Sequence, residues 1–179
     1  MLIVLTGKTA SGKDTIMSKL LAKYPQMKRV VTTTSRSPRE NEQNGVDYHF
    51  ISEEDFRKKI DNGDFLEYVE YGGNLYGTEK KGLENTGDLI WRIDPSRAGK
   101  IKDTLPAVVI YVTTSDDVVL QRLKDRNLTD EEIQKRMDED QKFWEQYKNS
   151  YDFVVENVPG KLDETLEKIY SIIDSATKV

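Results

Sequence analysis

Short apolar runs alternate along the chain with longer amphipathic segments. Apolar runs predict strands at 2–5, 28–32, 88–93, 107–112 and 151–157. Apolar residues at helical spacing, with capping residues in front of them, predict helices at 13–24, 116–126, 129–149 and 161–176. Strands that alternate with helices favour a parallel sheet that is covered on both faces. Ligands bind such sheets beyond the carboxyl ends of the strands, where residues 7–13 follow the first strand.

The alternation of apolar runs and amphipathic segments is interrupted between residues 33 and 78. Short β-rich pieces occur at 47–51 and 65–71, and the second is followed by Gly-containing turn residues and "LYG", which predicts a hairpin. Residues 52–63 predict one short helix, with Ser52 and Asp55 spaced as a capping box and Gly63 as its stop. We therefore expect one domain over residues 1–179, with a core at 1–32 and 79–179 and a small α+β insertion at about 33–78.

Composition narrows the class of protein. The chain has 179 residues, of which 36% are hydrophobic and 33% charged, and this is typical of a polar, soluble domain. No apolar run approaches the roughly 20 residues needed to cross a bilayer, and the start lacks the features of a signal peptide. These features predict a cytoplasmic protein without a membrane partner. The net charge of −5 disfavours a nucleic-acid polymer as partner. With no cysteine and one histidine, thiolate chemistry and multi-histidine metal sites are excluded.

A phosphate-binding motif follows the first predicted strand. Residues 7–13 fit G-x-x-x-x-G-K, in which glycines let successive backbone N–H groups converge on a phosphate and the lysine adds a positive charge. The helix that begins there directs the positive end of its dipole to the same point. The residues predicted to bind ATP are Gly7, Lys8, Thr9, Ala10, Ser11, Gly12, Lys13, Asp14 and Thr15.

Proteins with this loop include GTPases, mechanical ATPases and kinases of small molecules. The chain has no D-x-x-G after a strand and no N-K-x-D, which a GTPase needs to recognise guanine. Its length leaves no room for an added mechanical module. These features favour a kinase that acts on a small acceptor.

The stretch "TTTSRSPRENEQNGVDYHF" at 32–50 is the most specific part of the sequence. Together with "NGDFLEYVEYGGNLYGT" at 62–78, "RID" at 92–94 and "RLKDRNLTDEEIQKR" at 122–136, it resembles the guanylate kinase family over nearly the whole chain. The resemblance implies an α/β P-loop fold of three layers with a parallel core sheet. It also implies that the insertion binds the nucleoside monophosphate and that a helical lid covers about 122–146.

The resemblance also implies roles for individual residues. The predicted GMP-binding residues are Thr32, Arg36, Arg39, Tyr48, Glu67, Tyr76, Thr78 and Asp94. The predicted catalytic residues are Lys13, Arg39, Arg122, Arg126 and Arg136, with ATP as phosphoryl donor and Mg²⁺ as cofactor. The residue types suit this chemistry. Arginine forks onto phosphate, and an ionised carboxylate such as Glu67 accepts the paired N–H donors of guanine.

Several positions depart from the family pattern. Asp14 stands where Ser or Thr normally helps to hold magnesium, and Thr32 replaces the usual Ser. The D-x-Q-G-A segment becomes Asp94 followed by "PSRA", and the segment between Thr78 and Asp94 is about one helical turn shorter than usual. The R-G-T of the lid reads "RNLT" at 126–129. For Asp14 two roles compete: it blocks the metal, or its carboxylate serves as a magnesium ligand. We favour the ligand role.

The expected reaction is phosphorylation of GMP, and also of dGMP, by ATP. Two alternatives stay open. One is a kinase of the same fold with another phosphorylated acceptor, such as a ribose phosphate. The other is a non-catalytic guanylate-kinase-like binding module, which the intact Lys13 and lid arginines disfavour. The sequence does not decide between a monomer and a homo-oligomer.

Overall fold

The computed structural model describes residues 1–71, 73–84 and 87–176. Its strands are β1 Leu2–Gly7, β2 Lys28–Arg29, β3 Thr32–Thr34, β4 Tyr48–Phe50, β5 Phe65–Tyr71, β6 Asn74–Glu79, β7 Leu89–Arg92, β8 Val108–Thr113 and β9 Phe153–Glu156. Its α-helices are α1 Lys13–Lys23, α2 Glu53–Asp61, α3 Pro95–Ile101, α4 Asp116–Lys124, α5 Asp130–Tyr147 and α6 Leu162–Ala176. Short 3₁₀ turns occupy Lys80–Leu83 and Lys148–Ser150.

Two sheets organise these elements. The core sheet has five strands in the order β2-β7-β1-β8-β9, and β1 pairs in parallel with β8, as β8 does with β9. The second sheet has four strands in the order β4-β3-β6-β5. The predicted α/β class with a parallel core sheet is thereby confirmed. The expected single strand at 28–32 is wrong in detail, because β2 joins the core sheet while β3, starting at Thr32, joins the second sheet.

The first strand is buried because it is covered on both faces. Ile3, Val4 and Leu5 have no exposed surface, as a strand between two helical layers requires. Ile3 and Leu5 pack in one cluster with Ile16 and Leu20 of α1 and with Ile169 and Ile173 of α6. Since β1 is rigidly held in this cluster, the loop that follows it starts from a fixed point.

The chain divides into two compact units. The core unit comprises Met1–Lys28 and Ile90–Val179, and the insertion unit comprises Arg29–Leu89, which contains the predicted range 33–78 and extends beyond it on both sides. The insertion unit has its own core, in which the rings of Phe56 and Phe65 stack with centroids 4.3 Å apart. The predicted helix here is α2, and the Ser52 side chain accepts the Asp55 N–H at 3.0 Å to cap it.

Helix α5 packs against other elements of the core unit near both of its ends. Thr129 and Glu132 form the predicted capping box at its start, and Ile133 is buried with Val119 and Leu123 of α4. Towards its end, the Trp144 ring lies 5.0 Å from the Tyr111 ring of β8, measured between centroids.

Every helix among the described residues is too short or too polar to span a bilayer.

Helix α3 is absent from the sequence-based prediction. Its seven residues carry no helical stripe long enough to detect, and Gly99 lies in its middle. The helix forms because Asp94 caps its first turn and Pro95 occupies the first helical position.

Gly99 lets α3 approach α5 closely, and this contact generates a stability prediction. A Cβ added at Gly99 would come within 2.3 Å of Cγ of Tyr147 and within 2.6 Å of its Cβ, and the backbone fixes the position of that Cβ. Gly99→Ala should therefore destabilise the fold by about 1–3 kcal/mol, although alanine is normally the better helix former. Thermal unfolding measures the effect.

Gly82→Ala is the matched control, because a Cβ there would meet only a Val30 methyl carbon at 3.8 Å. We expect its melting temperature to stay close to that of the parent. A Gly99→Ala protein as stable as the parent would show that α3 and α5 can separate at no cost.

Candidate active site

The loop after β1 has the backbone shape that the glycine spacing predicts. Gly7 has a φ of 139°, and a Cβ there would lie 2.0 Å from the Val112 carbonyl oxygen of β8. Gly12 has a φ of 91° and is the N-terminal cap of α1. Only glycine combines such angles with such close contacts at low cost. The loop therefore presents the N-terminus of α1, and with it a set of backbone N–H groups, as an anion-binding site.

Lys13 bends back over this loop. Its ammonium group donates to the carbonyl oxygens of Gly7 and Lys8 at 2.8 and 2.6 Å and lies 3.3 Å from the Ser11 hydroxyl. Burial lowers the pKa of Lys13 to about 8, and the nearby Arg92 guanidinium acts in the same direction. A lysine in such surroundings gains from a phosphate that supplies the missing negative charge.

Three side chains from distant parts of the chain hold the backbone of the loop. The carboxylate of Asp140 in α5 accepts the Thr9 N–H at 2.7 Å, and the Arg122 guanidinium donates to the Ala10 carbonyl at 2.7 Å. The amide of Asn157, which follows β9, donates to the Ser11 carbonyl at 2.8 Å. Of these three residues, Arg122 was already predicted as a site residue, whereas Asp140 and Asn157 were not. Asp140 could have been detected from the sequence.

Asp140 stands on the apolar stripe of α5. Ile133, Met137 and Trp144 are four and seven residues apart, and Asp140 falls in the longer gap, three residues after Met137 and four before Trp144. A carboxylate on a stripe that faces the core requires a polar partner there. Asn157 has no comparable signal, because an Asn after a strand is usual in a loop.

The predicted lid arginines occupy different surroundings. Arg122 is half-buried on α4 against the phosphate loop. Arg126 is exposed just after α4, yet near enough to Lys13 for its charge to lower the lysine pKa. Arg136 is half-buried on α5, one helical turn before Asp140, so both residues share a face of that helix.

Asp14 lies in the first turn of α1 and is exposed over 73% of its side chain. Its carboxylate lies 3.1 Å from the guanidinium of Arg92, at the end of β7. Thr15 beside it is also exposed. An accessible carboxylate next to the phosphate loop is compatible with Mg²⁺, which commonly takes one or two carboxylates together with phosphate oxygens and waters. Metal binding there has to compete with Arg92.

In the insertion unit, Arg36 is brought together with two predicted tyrosines. Its guanidinium lies 5.6 Å from the centroid of the Tyr48 ring, and the Tyr48 and Tyr76 rings are 6.2 Å apart. Both oxygens of Glu42 accept from Arg36, at 2.8 and 2.9 Å. Burial by itself lowers the pKa of Arg36, but these hydrogen bonds outweigh burial and raise it. Arg39 is exposed, and its N–H is bound to Glu42 at 2.8 Å.

The predicted guanine-reading residues lie on the hairpin of the insertion unit. Glu67 of β5 is directly opposite Thr78 of β6, so their side chains project from the same face of the sheet. Thr78 is fully buried and Glu67 is half-buried. Thr32 is also buried, on β3 opposite Tyr48.

Asp94 belongs to the core unit and has other partners. One carboxylate oxygen accepts from the N–H groups of Ser96 and Arg97 at 3.0 and 3.1 Å, and the other is paired with the Arg97 side chain. Burial raises the pKa of this carboxyl, but Arg97 and Ser96 outweigh burial and hold it below its usual value. The structure therefore gives Asp94 a capping role, and its contact with guanine stays a prediction.

A phosphate loop at the end of the first parallel strand, lined by a lysine and by arginines, defines a P-loop phosphotransferase. The sequence model of the family "Guanylate kinase" matches residues 1–176. A guanylate kinase of Fusobacterium nucleatum is 35% identical over 184 residues, covering 99% of this chain and 97% of that protein. The chain belongs to the guanylate kinase family.

Two further comparisons agree with this assignment. A guanylate kinase of Neisseria gonorrhoeae is 38% identical over 163 residues, covering 87% of this chain and 79% of that protein. The crystal structure of guanylate kinase from Anaplasma phagocytophilum has a TM-score of 0.75 and 24% identity, covering 98% of this chain and 85% of that one. At this identity the crystal structure supports the fold alone.

The surroundings of Lys13 predict how ATP binding depends on pH. With a pKa of about 8 instead of the ordinary 10.5, the ammonium group is charged below pH 8 and becomes neutral above it. The dissociation constant for ATP, measured by calorimetry between pH 6.5 and 9.5, should be lowest below pH 8 and rise by up to about tenfold per pH unit above it.

Lys13→Arg separates this effect from the titration of ATP, because a guanidinium stays charged throughout that range. The rise above pH 8 should disappear in this variant, whatever its affinity. If the parent and Lys13→Arg show the same pH profile, the titrating group is not Lys13.

Proposed function

We propose that the protein transfers the γ-phosphoryl group of ATP to GMP or dGMP, forming ADP and the corresponding diphosphate. Membership of the guanylate kinase family supports the reaction. The observation that carries a phosphate monoester as the acceptor is the cluster of Arg36, Tyr48 and Tyr76 in the insertion unit. A phosphate monoester needs a forked cation and neutral hydroxyl donors, and this cluster offers both.

The pairing of Arg36 with Glu42 fits a role in binding an anion. A half-buried guanidinium without a negative partner is costly, so Glu42 satisfies it when no phosphate is present. A phosphate dianion carries more charge than a carboxylate and has three oxygens to offer. We infer that the acceptor phosphate binds Arg36 at the expense of Glu42, and that the exposed Arg39 adds a second fork.

Glu67 supports guanine as the base of the acceptor. An ionised carboxylate accepts hydrogen bonds only, and the Watson–Crick edge of guanine presents N1–H and N2–H side by side. Adenine lacks this pair of donors, so it offers the Glu67 carboxylate no matching hydrogen bonds. Thr78 projects from the same face of the hairpin, and a hydroxyl there suits a neighbouring polar atom of the base.

In the proposed mechanism, the residues of the core unit position and neutralise the donor. Backbone N–H groups of the first turn of α1 and the ammonium of Lys13 bind the β- and γ-phosphates. Arg122, Arg126 and Arg136 supply positive charge where the phosphoryl group is transferred. The phosphate oxygen of the acceptor is already nucleophilic, so the step is a direct in-line transfer that needs no strong base.

Magnesium belongs to this proposal as the cofactor. When bound, Mg²⁺ neutralises charge on the β- and γ-phosphates, and Asp14 is the side chain that would hold it, directly or through a water. Arg92 keeps the carboxylate of Asp14 paired in the absence of the metal. The accessible position of Asp14 at the start of α1 suits both partners.

The competing acceptor is a sugar phosphate, on which a kinase of the same fold could act. The test is release of ADP with GMP, dGMP, AMP and ribose 5-phosphate as separate acceptors. The proposal expects GMP and dGMP to be used with much higher kcat/KM than the other two. Preference for ribose 5-phosphate would favour the alternative acceptor, and no turnover with any acceptor would favour a binding module.

The role of Glu67 is tested by Glu67→Gln. The substitution replaces one acceptor oxygen with a donor, so it should raise the barrier for GMP by about 1–3 kcal/mol while AMP is affected much less. Values of kcat/KM for both acceptors measure this. Glu70→Gln is the control, since Glu70 is exposed three positions further along the same strand and projects to the other face.

An equal loss for GMP and AMP in Glu67→Gln would remove Glu67 from base recognition. A loss of GMP activity in Glu70→Gln as large as that in Glu67→Gln would mean that the strand, and not the carboxylate, is responsible.

The role of Asp14 is tested by Asp14→Asn. Loss of the carboxylate removes repulsion towards the triphosphate, so the variant should bind metal-free ATP more tightly. It should also need more Mg²⁺ for half-maximal turnover, because a metal ligand is weakened. Titrations of ATP with EDTA or with Mg²⁺ measure the two effects.

Asp117→Asn is the matched control, since it removes an exposed carboxylate at the start of α4. Its ATP affinity and Mg²⁺ dependence should equal those of the parent. An unchanged Mg²⁺ requirement in Asp14→Asn would exclude Asp14 from the surroundings of the metal.

A further inference from the structure

Asp140 is a buried carboxylate at the phosphate loop for which the proposed mechanism has no role. It is 7% exposed and lies in the second half of α5. One of its oxygens accepts the Thr9 N–H at 2.7 Å, and the other lies 3.4 Å from the Thr9 hydroxyl. Burial of a carboxylate is costly. A residue placed there at such a cost is a candidate for a function.

The part of α5 that carries Asp140 cannot readily move away from the loop. Trp144 packs against Tyr111 with ring centroids 5.0 Å apart, and Tyr147 closes on Gly99 of α3. On the other side of Asp140, Ile133 is buried against α4. Asp140 is therefore the fixed partner, and the loop backbone is the partner that is positioned.

The loop needs such an external contact. Ala10, next to Thr9, has a φ of 56°, and Gly12 has a φ of 91°. A left-handed angle at a non-glycine residue is unfavourable by itself and persists only when its surroundings hold it. The bond from Asp140 is made to the residue before Ala10, the bond from Arg122 to the carbonyl of Ala10 itself, and the bond from Asn157 to the residue after it.

We propose that Asp140 is a positioning residue for nucleoside triphosphate binding, which holds the first half of the phosphate loop on α5 through the Thr9 N–H. The proposal rests on the proposed function only in so far as the loop binds ATP. It does not depend on the identity of the acceptor.

Two substitutions separate the effect of the hydrogen bond to Thr9 from the effect of the negative charge of Asp140. Asp140→Asn keeps an oxygen that can accept the Thr9 N–H but removes the charge. Asp140→Ala removes both, and loss of a charge-assisted hydrogen bond of this kind corresponds to about a tenfold change in an equilibrium constant. Asp138→Asn is the control, because it removes an exposed carboxylate from the same helix.

The measurement is the ATP dissociation constant by calorimetry, with melting curves to check folding. In Asp140→Asn the affinity should stay within about threefold of the parent, because the amide oxygen still accepts the Thr9 N–H. Asp140→Ala should bind about tenfold more weakly. Asp138→Asn should match the parent throughout.

Several outcomes overturn the proposal. If Asp140→Asn binds ATP more tightly, the carboxylate acts mainly by repelling the triphosphate. If Asp140→Asn binds ATP about tenfold more weakly than the parent, as expected of Asp140→Ala, the bond to the Thr9 N–H is not what positions the loop. Should Asp140→Ala fail to fold, Asp140→Asn still decides. Absence of ATP binding by the parent would contradict the proposed function itself, whereas normal binding by the parent and by both variants would contradict only the role of Asp140.

Discussion

The phosphate loop keeps its shape because side chains that are distant in sequence bind its backbone. A loop built from left-handed residues and from carbonyls that converge on Lys13 has little stability of its own. Asp140, Arg122 and Asn157 each hold one of three consecutive residues, Thr9, Ala10 and Ser11. The sheet and helices of the core unit can be understood as the frame that brings these three side chains to the loop.

The same arrangement sets the charges of the site. Lys13 lies among the cations Arg92 and Arg126 and the anions Asp14 and Asp140, and their effects on its pKa oppose one another. Asp14, which departs from the family pattern, is paired with Arg92 at the end of β7. An exposed carboxylate beside a triphosphate is unfavourable alone, and a neighbouring guanidinium reduces that cost.

The insertion unit follows a different principle. Its sheet and the stacked Phe56 and Phe65 form a small core that orients polar residues on its strands. Arg36 is held by Glu42 and by the rings of Tyr48 and Phe50, so the guanidinium is oriented before any phosphate arrives. Orientation in advance reduces the entropy that binding must overcome.

Much of this protein was predictable from the sequence, because the relevant signals are local. The glycine spacing of the phosphate loop, the apolar periods and the capping residues act within a few positions, so the parallel sheet, five of the six helices and the loop itself could be read directly. The specific motif at 32–50 led to the guanylate kinase family, which the comparisons confirm. Short elements such as α3 were missed because seven residues carry too little periodicity.

The tertiary structure decided which distant groups meet at the loop. Three contacts show this. Asp14 pairs with Arg92 and Asp140 anchors Thr9, so each contact joins residues from separate elements. Asp94 caps α3, a helix that the sequence did not reveal. Asp140 shows most clearly which features the sequence could predict and which it could not. Its place on an apolar stripe was visible in the sequence, but its partner, 131 positions away, was not. Local patterns report which face of a helix is buried, whereas the group that it is buried against depends on how the whole chain packs.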